Sequence, residues 1–251
     1  MKNLILLIFI GLFSLYASAA VVISDLDDTI KMTNVDNMGR AIGNGLFSTK
    51  VFEPMPMVLR AMDQYVNGTY ILSASPKILN FNIKKLLNKH DIPYRDLFTR
   101  TLSDLKDKKA YKLRMINSVI EDEKNIILIG DNVEADEEIY HEIKNRHPEK
   151  QFSIYIHKVT NKKVSAGSFK YYTAFEIAAG EYLVRRMEFS EVNAIAKEIL
   201  LEKNMSKIIP RFAHCPTKMD EFTKLPFGKV QALGVLVQTK IIGYCKLRQQ
   251  Q

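Results

Sequence analysis

The sequence has too little of several residues to belong to some special classes of protein. With 11 glycines and 8 prolines it is neither collagen-like nor of low complexity, and it has no fixed-period repeat or heptad run. Its five histidines lack the spacing of a metal site. Apolar runs recur along the whole length, which excludes intrinsic disorder. The 251 residues, 47% of them hydrophobic, therefore predict one globular domain, alone or with a small appendage.

The N-terminal residues have the pattern of an export signal. Lys2 makes the start positive, residues 4–16 form an apolar run of 13 residues, and Ala17-Ser18-Ala19 matches a small-residue cleavage site. We therefore expect residues 1–19 to be a signal peptide and the protein to be periplasmic or secreted. Because the apolar run continues to Ile23, a retained membrane anchor is the alternative.

Cysteine occurs only twice, as Cys215 and Cys245. An even number of cysteines in an exported protein permits one disulfide bond, while two buried thiols are the alternative. The expected compartment favours a bridge between Cys215 and Cys245.

Positive charge is in excess. The 36 Lys and Arg residues outnumber the 28 Asp and Glu residues, which gives a formal net charge of +8. Such a surface attracts nucleic acid, anionic lipid or phosphorylated ligands. An ordinary solvated basic surface is the alternative, and net charge alone does not choose among these.

Short buried-strand patterns alternate with helical patterns along the first two thirds of the chain. The strand patterns lie at residues 21–24, 69–72, 98–102, 125–129 and 152–156, and the helical patterns lie at residues 57–65, 76–90, 110–120 and 135–145. In the second helix we expect Ser75 as N-cap and Pro76 at the first position. The alternation predicts an α/β fold with a doubly wound parallel sheet, whose strand ends face the ligand crevice.

The pattern changes near the C-terminus. We expect residues 20–185 to form the main domain and residues 186–251 a C-terminal extension or small subdomain, with a helix at 188–203 and a strand-like stretch at 230–242. The extension is either a small appended subdomain that the disulfide clamps or a segment that wraps back over the main domain. Residues 30–56 predict a small flap, and no segment is long enough for a large cap domain.

An acidic motif, Asp25-Leu26-Asp27-Asp28-Thr29, follows the first predicted strand. Two carboxylates at this end of a parallel strand can divide two tasks. Asp25 would attack phosphorus and become an aspartyl phosphate, while Asp27 would act as general acid and base. The alternative is an acidic turn after a strand.

Two further residues are candidates for binding a substrate phosphate. Ser73 ends the second predicted strand, and Lys112 lies near the start of a helix. The free N–H groups of a helix that starts at Pro76 would bind the same anion. The alternatives are that Ser73 only caps a helix and that Lys112 is solvated, with Lys108 or Lys109 in its role.

A second acidic group follows the strand pattern at residues 125–129. Gly130 allows a tight turn, and Asp131 would emerge beside Asp25 to make an oxygen-rich site suited to Mg²⁺. Glu134 or Asp136 would orient ligands or bound waters from behind. An acidic helix N-terminus is the alternative.

The order of these motifs resembles that of the haloacid dehalogenase superfamily, from about residue 21 to residue 156. Asp27, at the second position of the first motif, points to its phosphatases and phosphomutases. The resemblance implies that Asp25, Asp131 and the backbone carbonyl of Asp27 hold Mg²⁺, and that Ser73 and Lys112 hold the phosphate.

Three segments, residues 24–33, 130–140 and 154–156, are similar to the catalytic domain of the actin-patch-type phosphatidate phosphatases. This resemblance covers about residues 20–180 and implies hydrolysis of phosphatidate to diacylglycerol. The chain departs from the family pattern at four places, namely Ala74, Lys77, the pair Asn132-Val133, and His157 in place of arginine. These departures leave every catalytic carboxylate in place.

The sequence thus predicts an exported, Mg²⁺-dependent phosphatase for phosphatidate or a related phospholipid. Its expected partners are a phosphorylated substrate and an anionic phospholipid at a membrane surface, with no nucleic acid. The alternatives are a phosphatase for soluble phosphate esters or nucleotides and a non-catalytic basic binding module. Apolar flap residues such as Leu46 and Phe47 would meet acyl chains or, alternatively, pack on the edge of the sheet. His157 would lie in a solvated loop or beside a headgroup.

Overall fold

The computed structural model describes residues 20–33, 49–104, 106–226 and 228–250 of the chain. Six strands form one parallel sheet. They are β1 (Ala20–Asp25), β2 (Val66–Pro76), β3 (Asp96–Arg100), β4 (Asn125–Asp131), β5 (Gln151–His157) and β6 (Phe169–Tyr171). Their order is β3-β2-β1-β4-β5-β6, so the winding direction reverses between β1 and β4, which is where such sheets bind ligands. The predicted doubly wound parallel sheet is confirmed.

Helices cover both faces of the sheet. They are α1 (Met55–Asp63), α2 (Asn80–Lys89), α3 (Lys108–Ile120), α4 (Asp136–Arg146), α5 (Ala174–Leu183), α6 (Phe189–Leu201) and α7 (Lys229–Gln249). Successive strand residues point to opposite faces, so Val22 packs in the same core as α1, α2 and α5 to α7, whereas Val21 and Ile23 pack with α3 and α4. Burial on both faces explains why β1 is an unbroken apolar run.

The register of the central strands fixes the position of the acidic residues. In β1, Ser24 pairs with Ile129 of β4, and Asp25 pairs with Leu72 of β2. Because Asp25 ends β1 and Asp131 ends β4, both carboxylates emerge at the same edge of the sheet. The fold therefore brings together the two acidic motifs that the sequence separates.

The predicted helix start at Ser75 and Pro76 is wrong. Strand β2 continues through Pro76, whose backbone is extended, and α2 begins only at Asn80 after a short 3-10 turn, Lys77–Leu79. Ser75 does not cap a helix, because its hydroxyl donates to Asp27 and the turn that follows has no side-chain cap. Pro76 is therefore not the first helical residue, and binding of an anion by the N–H groups of the turn that follows it stays a prediction.

The predicted strand-like stretch at residues 230–242 is also wrong, because it lies within helix α7. The buried residues of α7 recur every three or four positions, as a helix requires: Val230, Gly234, Val237, Ile241 and Cys245. A Cβ at Gly234 would lie 2.8 Å from Leu225 Cδ1, so the glycine permits close packing here. Strand β6 and helix α5 were not predicted.

The C-terminal residues pack onto the main domain. Helices α6 and α7 contact each other and contribute to the same buried cluster as β1 and α1. A disulfide joins Cys215 to Cys245 near the end of α7, which confirms the predicted bridge. The extension thus shares the core of the sheet.

Two expectations concern residues outside the described part of the chain. These are the signal peptide or anchor at residues 1–19 and most of the flap, including Leu46 and Phe47. Among the described helices, none combines the length and the apolar character needed to cross a bilayer.

Candidate active site

The turn after β1 is held in one shape by its own hydrogen bonds. The Leu26 carbonyl accepts from the backbone N–H groups of Ile30 and Lys31. Asp28 has a left-handed backbone, with φ of 55°, which aspartate tolerates better than most residues. Its carboxylate accepts from the backbone N–H of Thr33 at 2.9 Å. This closed turn fixes the direction in which Asp25 and Asp27 leave the strand.

Lys112 is the lysine that reaches the predicted nucleophile. It lies on α3, is buried, and donates from Nζ to Asp25 Oδ1 at 2.6 Å and to Asp136. The two competing lysines are engaged elsewhere, since Lys108 pairs with Glu134 and Lys109 pairs with Glu138 and Glu142. The structure therefore places Lys112 in the position predicted for it.

Three buried carboxylates meet at the carboxyl edge of the sheet. Asp25, Asp131 and Asp136 each offer an oxygen within 4.8 Å of the other two. A Cβ at position 130 would lie 2.8 Å from Asp136, so Gly130 is what permits this approach. Asp136 is thus part of the cluster itself. Glu134, its predicted equivalent, is instead part-exposed and pairs with Lys108 at 2.7 Å.

Burial and mutual repulsion disfavour negative charge in this cluster. Burial raises the pKa of Asp25 well above its ordinary value, although Lys112 opposes the shift. Burial and the neighbouring Asp136 likewise raise the pKa of Asp131. Burial alone would lower the pKa of Lys112, but Asp136 and Asp25 outweigh it and raise that pKa, so the lysine stays charged. An additional cation would favour the ionised carboxylates.

The donor set fits Mg²⁺. Three ionised carboxylates and one ammonium leave two uncompensated negative charges, which a divalent cation would neutralise. Carboxylate oxygens are the ligands that Mg²⁺ prefers. The buried Oδ2 of Asp136 has no hydrogen-bond partner, so it is available to a cation. Asp25, Asp131 and Asp136 are therefore the residues that would hold the metal.

Asp27 lies beside this cluster and is surrounded by hydrogen-bond donors. Its Oδ1 accepts from Thr33 Oγ1 at 2.7 Å and lies 3.6 Å from the Lys31 ammonium, and its Oδ2 accepts from the hydroxyls of Ser73 at 3.3 Å and Ser75 at 3.2 Å. These contacts fix the orientation of the carboxylate. Ser73 is fully buried and serves Asp27 here, and its binding of phosphate stays a prediction.

A small cavity of about 170 Å³ opens over these residues. Its lining includes Asp25, Asp27 and Asp131, together with Ser75, Arg100 and Lys108. Ser75 and Arg100 were not predicted as site residues, and Lys108 was named only as an alternative to Lys112. The sequence did carry a signal for Ser75, since alternate residues at the end of a strand point the same way and Ser73 was already a candidate. A cavity of this size suits a phosphoryl group and excludes a whole lipid.

Two departures from the family pattern have structural explanations. The Asn132 side chain accepts from the N–H groups of Val159 and Thr160 and donates to the Thr160 and Lys162 carbonyls, so it anchors the loop after β5. Asn132 therefore ties the loop after β5 to the turn after β4 and leaves the acidic residues of the site in place.

His157 is buried beneath the active-site turn, so the expected solvated loop and headgroup contact are both wrong. Its Nδ1 lies 2.8 Å from the Asp28 carbonyl, to which it donates, and its ring stacks on Tyr171 with 4.9 Å between centroids. Burial lowers the pKa of His157 to about 4. The histidine therefore supports the turn as a neutral ring.

The fold and the site together define a class. A doubly wound parallel sheet that carries acidic residues at the ends of its two central strands, with a lysine between them, is a haloacid dehalogenase-like phosphatase framework. Residues 20–158 match the family model described as phosphatidate phosphatase APP1, catalytic domain. That match spans more than half of the chain, and the chain belongs to this family.

Similarity to individual proteins is more distant. An uncharacterized protein of Schizosaccharomyces pombe is 29% identical over 152 residues, which cover 55% of this chain and 25% of that protein. The chain thus spans about a quarter of the length of this relative. Two solved structures of the Pnkp1/Rnl/Hen1 complex, one titled as an RNA repair complex, each align with 55% of this chain. The alignments cover 42% and 46% of the chains in those structures, at 20% and 19% sequence identity and with TM-scores of 0.41 and 0.38.

Proposed function

We propose that this protein is an exported, Mg²⁺-dependent phosphatidate phosphatase that acts through an aspartyl phosphate on Asp25. The observation that carries the proposal is the buried cluster of Asp25, Asp131 and Asp136 around Lys112, with Asp27 alongside, in a member of this family. The nucleophile and the acid and base line one small cavity, and the charge of Lys112 lies 2.6 Å from the nucleophile.

In the first step, a carboxylate oxygen of Asp25 attacks the phosphorus of the substrate. A bond forms between this oxygen and phosphorus, and the ester bond between phosphorus and the leaving oxygen breaks. Asp27 donates its proton to the leaving oxygen, which departs as the hydroxyl of diacylglycerol. Lys112 stabilises negative charge on the phosphoryl oxygens. Bound Mg²⁺ would supply further positive charge at these oxygens.

In the second step, Asp27 acts as a base. It accepts a proton from water, whose oxygen attacks phosphorus, and the bond between phosphorus and Asp25 breaks to release inorganic phosphate. Thr33, Ser73 and Ser75 hold the Asp27 carboxylate in place during both steps, since all three hydroxyls donate to it. The enzyme is thereby returned to its starting state.

The dimensions and charge of the cavity support a phosphomonoester on a bulky carrier. The cavity accepts a phosphoryl group, and Arg100 adds positive charge to its lining, whereas the charge of Lys108 is paired with Glu134. The rest of a lipid would remain outside. Membership of the phosphatidate phosphatase family supports phosphatidate among such substrates.

The export part of the proposal has separate support. A disulfide between Cys215 and Cys245 suits an oxidising compartment. Mass spectrometry of the protein recovered from its natural host tests it. We expect an N-terminus at Ala20 and a bridged cysteine pair, whereas an intact Met1 with two free thiols would contradict export.

A substrate panel tests the activity. Purified protein with Mg²⁺ is given phosphatidate in mixed micelles, a nucleoside monophosphate or a phosphopeptide, and phosphate release is measured. We expect release from phosphatidate to be fastest, and to stop when the metal is chelated. Faster release from nucleotides would replace the lipid substrate, and no release from any substrate would favour a binding module.

A further inference from the structure

Three large apolar side chains are more exposed than any other in the described part of the protein. Ile78 and Leu102 are each 88% exposed, and Phe81 is 77% exposed. Single exposed apolar residues are common on soluble proteins, but several at one functional edge indicate an interaction surface. We refer to Ile78, Phe81 and Leu102 as the apolar patch.

The strand register places the apolar patch at the rim of the active site. Pro76 and Arg100, at the ends of β2 and β3, are register partners, and both line the cavity with Asp25. Ile78 and Leu102 each follow these partners by two residues. Phe81 is three residues beyond Ile78, about one helical turn further on. The patch is thus a continuation of the edge that holds the nucleophile.

Lysines flank the apolar patch without nearby acidic residues on the same segment. Residues 64–90 contain no Asp or Glu but four lysines, of which Lys77, Lys84 and Lys85 are exposed close to the patch. On α2, Lys84 and Lys85 are three and four residues after Phe81, so they share its face. The apolar patch with lysines around it is complementary to an anionic lipid surface, where acyl chains lie beneath negatively charged headgroups.

We propose that the apolar patch inserts into an anionic phospholipid membrane and that Lys77, Lys84 and Lys85 bind the headgroups around it. This proposal rests on the proposed function and names the surface from which the same site takes its substrate. Insertion brings the carboxyl edge of the sheet against the membrane. The phosphate of a lipid then enters the small polar cavity while its acyl chains stay in the bilayer.

Vesicle binding tests the proposal without using the reaction. The probe is sedimentation with vesicles of equimolar phosphatidylcholine and phosphatidylserine, which contain no phosphatidate. The triple variant Ile78→Ser, Phe81→Ser, Leu102→Ser should bind at least about tenfold more weakly, because it loses most of its insertable apolar area. A matched control, Val235→Ser, Leu236→Ser, Leu247→Ser, removes three exposed apolar side chains of α7 and should bind like the unmodified protein.

The lysines are tested in the same assay. Lys77→Glu, Lys84→Glu, Lys85→Glu should also reduce binding by tenfold or more at low salt, and by less as salt screens the surface. Circular dichroism and the unfolding midpoint confirm that each variant is folded. Cleavage of soluble p-nitrophenyl phosphate should remain unchanged in the patch variant.

The outcomes separate this proposal from the proposed function. Vesicle binding through the patch without cleavage of phosphatidate would reject the substrate and retain the membrane surface. Equal vesicle binding by the patch variant and the unmodified protein would overturn the membrane surface, even if phosphatidate were cleaved. A patch variant that instead loses self-association, with no vesicle binding by the unmodified protein, would assign the patch to a second copy of the chain and overturn the proposal.

Discussion

Protonation of His157 should destabilise the folded protein in acid. The ring is buried between Tyr171 and Phe52 and supports the active-site turn through the Asp28 carbonyl. Burial lowers its pKa from 6.5 to about 4. The folded protein therefore binds this proton more weakly than the unfolded chain does. The stability that neutral His157 contributes is complete above pH 6.5 and is lost as the pH falls toward about 4.

The size of the effect follows from the shift. At about 1.4 kcal/mol per pKa unit, the difference between 6.5 and about 4 corresponds to roughly 3 kcal/mol of unfolding free energy. His157→Phe keeps a ring in this space but cannot titrate. It leaves the Asp28 carbonyl without its side-chain donor, which costs about 1–3 kcal/mol at every pH. The variant is thus less stable near neutral pH and loses less stability in acid.

Urea unfolding at a series of pH values measures this difference. The unfolding free energy of the unmodified protein minus that of His157→Phe should fall by about 3 kcal/mol between about pH 7.5 and about pH 4, so that in acid the variant becomes at least as stable as the unmodified protein. Taking the difference cancels the titration of other groups. A gap that is constant over this range would refute the reasoning, because it would mean that His157 binds its proton equally in both states.

Three other predictions concern stability and the metal. Burial raises the pKa of Glu176 from 4.5 to about 7, so ionisation of this residue destabilises the fold as the pH rises through that range. Glu176→Gln should therefore add up to about 3 kcal/mol of unfolding free energy above pH 7 and none below pH 4.5. An unchanged difference across pH would contradict this. Replacing both Cys215 and Cys245 by alanine removes a disulfide that joins residues 30 positions apart, and should lower the unfolding free energy by about 3.5 kcal/mol in urea titrations. A loss below about 1 kcal/mol would argue against the bridge. Chelation should abolish phosphate release, and Ca²⁺ should restore it poorly because it takes more oxygen ligands at longer distances; full activity in excess chelator would exclude the metal site.

The central strands were predictable because each is buried on both faces. An unbroken apolar run such as residues 125–129 is typical of a strand that is buried on both faces. Strands that alternate with helices along a chain typically form a doubly wound parallel sheet. The acidic residues that follow β1 and β4 are then brought together by register alone. For this reason Asp25 and Asp131 converge where the sequence predicted.

The place of Asp136 was harder to predict. It lies in the first turn of α4, where sequence periodicity does not say whether a side chain faces the crevice or solvent. The approach depends on the missing Cβ of Gly130 and on the ammonium of Lys112 from α3. Such contacts between distant elements are not encoded locally. The same is true of His157, whose burial depends on Tyr171 and Phe52.

Helix α7 and the end of β2 show the limits of local patterns. Residues 230–242 are rich in β-branched and apolar residues, which suit a strand. Packing on α6 and Phe175 favours a helix instead. At Ser75-Pro76 the dipeptide favours a helix start, yet the Ser75 hydroxyl contacts Asp27 and the strand continues. In both cases tertiary contacts outweigh local propensity.

The most direct test of the central claim is phosphate release from phosphatidate by Asp25→Asn with saturating Mg²⁺. The amide has almost the same shape as the carboxylate but cannot attack phosphorus, so we predict a rate below about one per cent of that of the unmodified protein. The same exchange at the exposed Asp122 should leave the rate unchanged. An Asp25→Asn protein that retained more than a few per cent of the activity would contradict an aspartyl phosphate on Asp25.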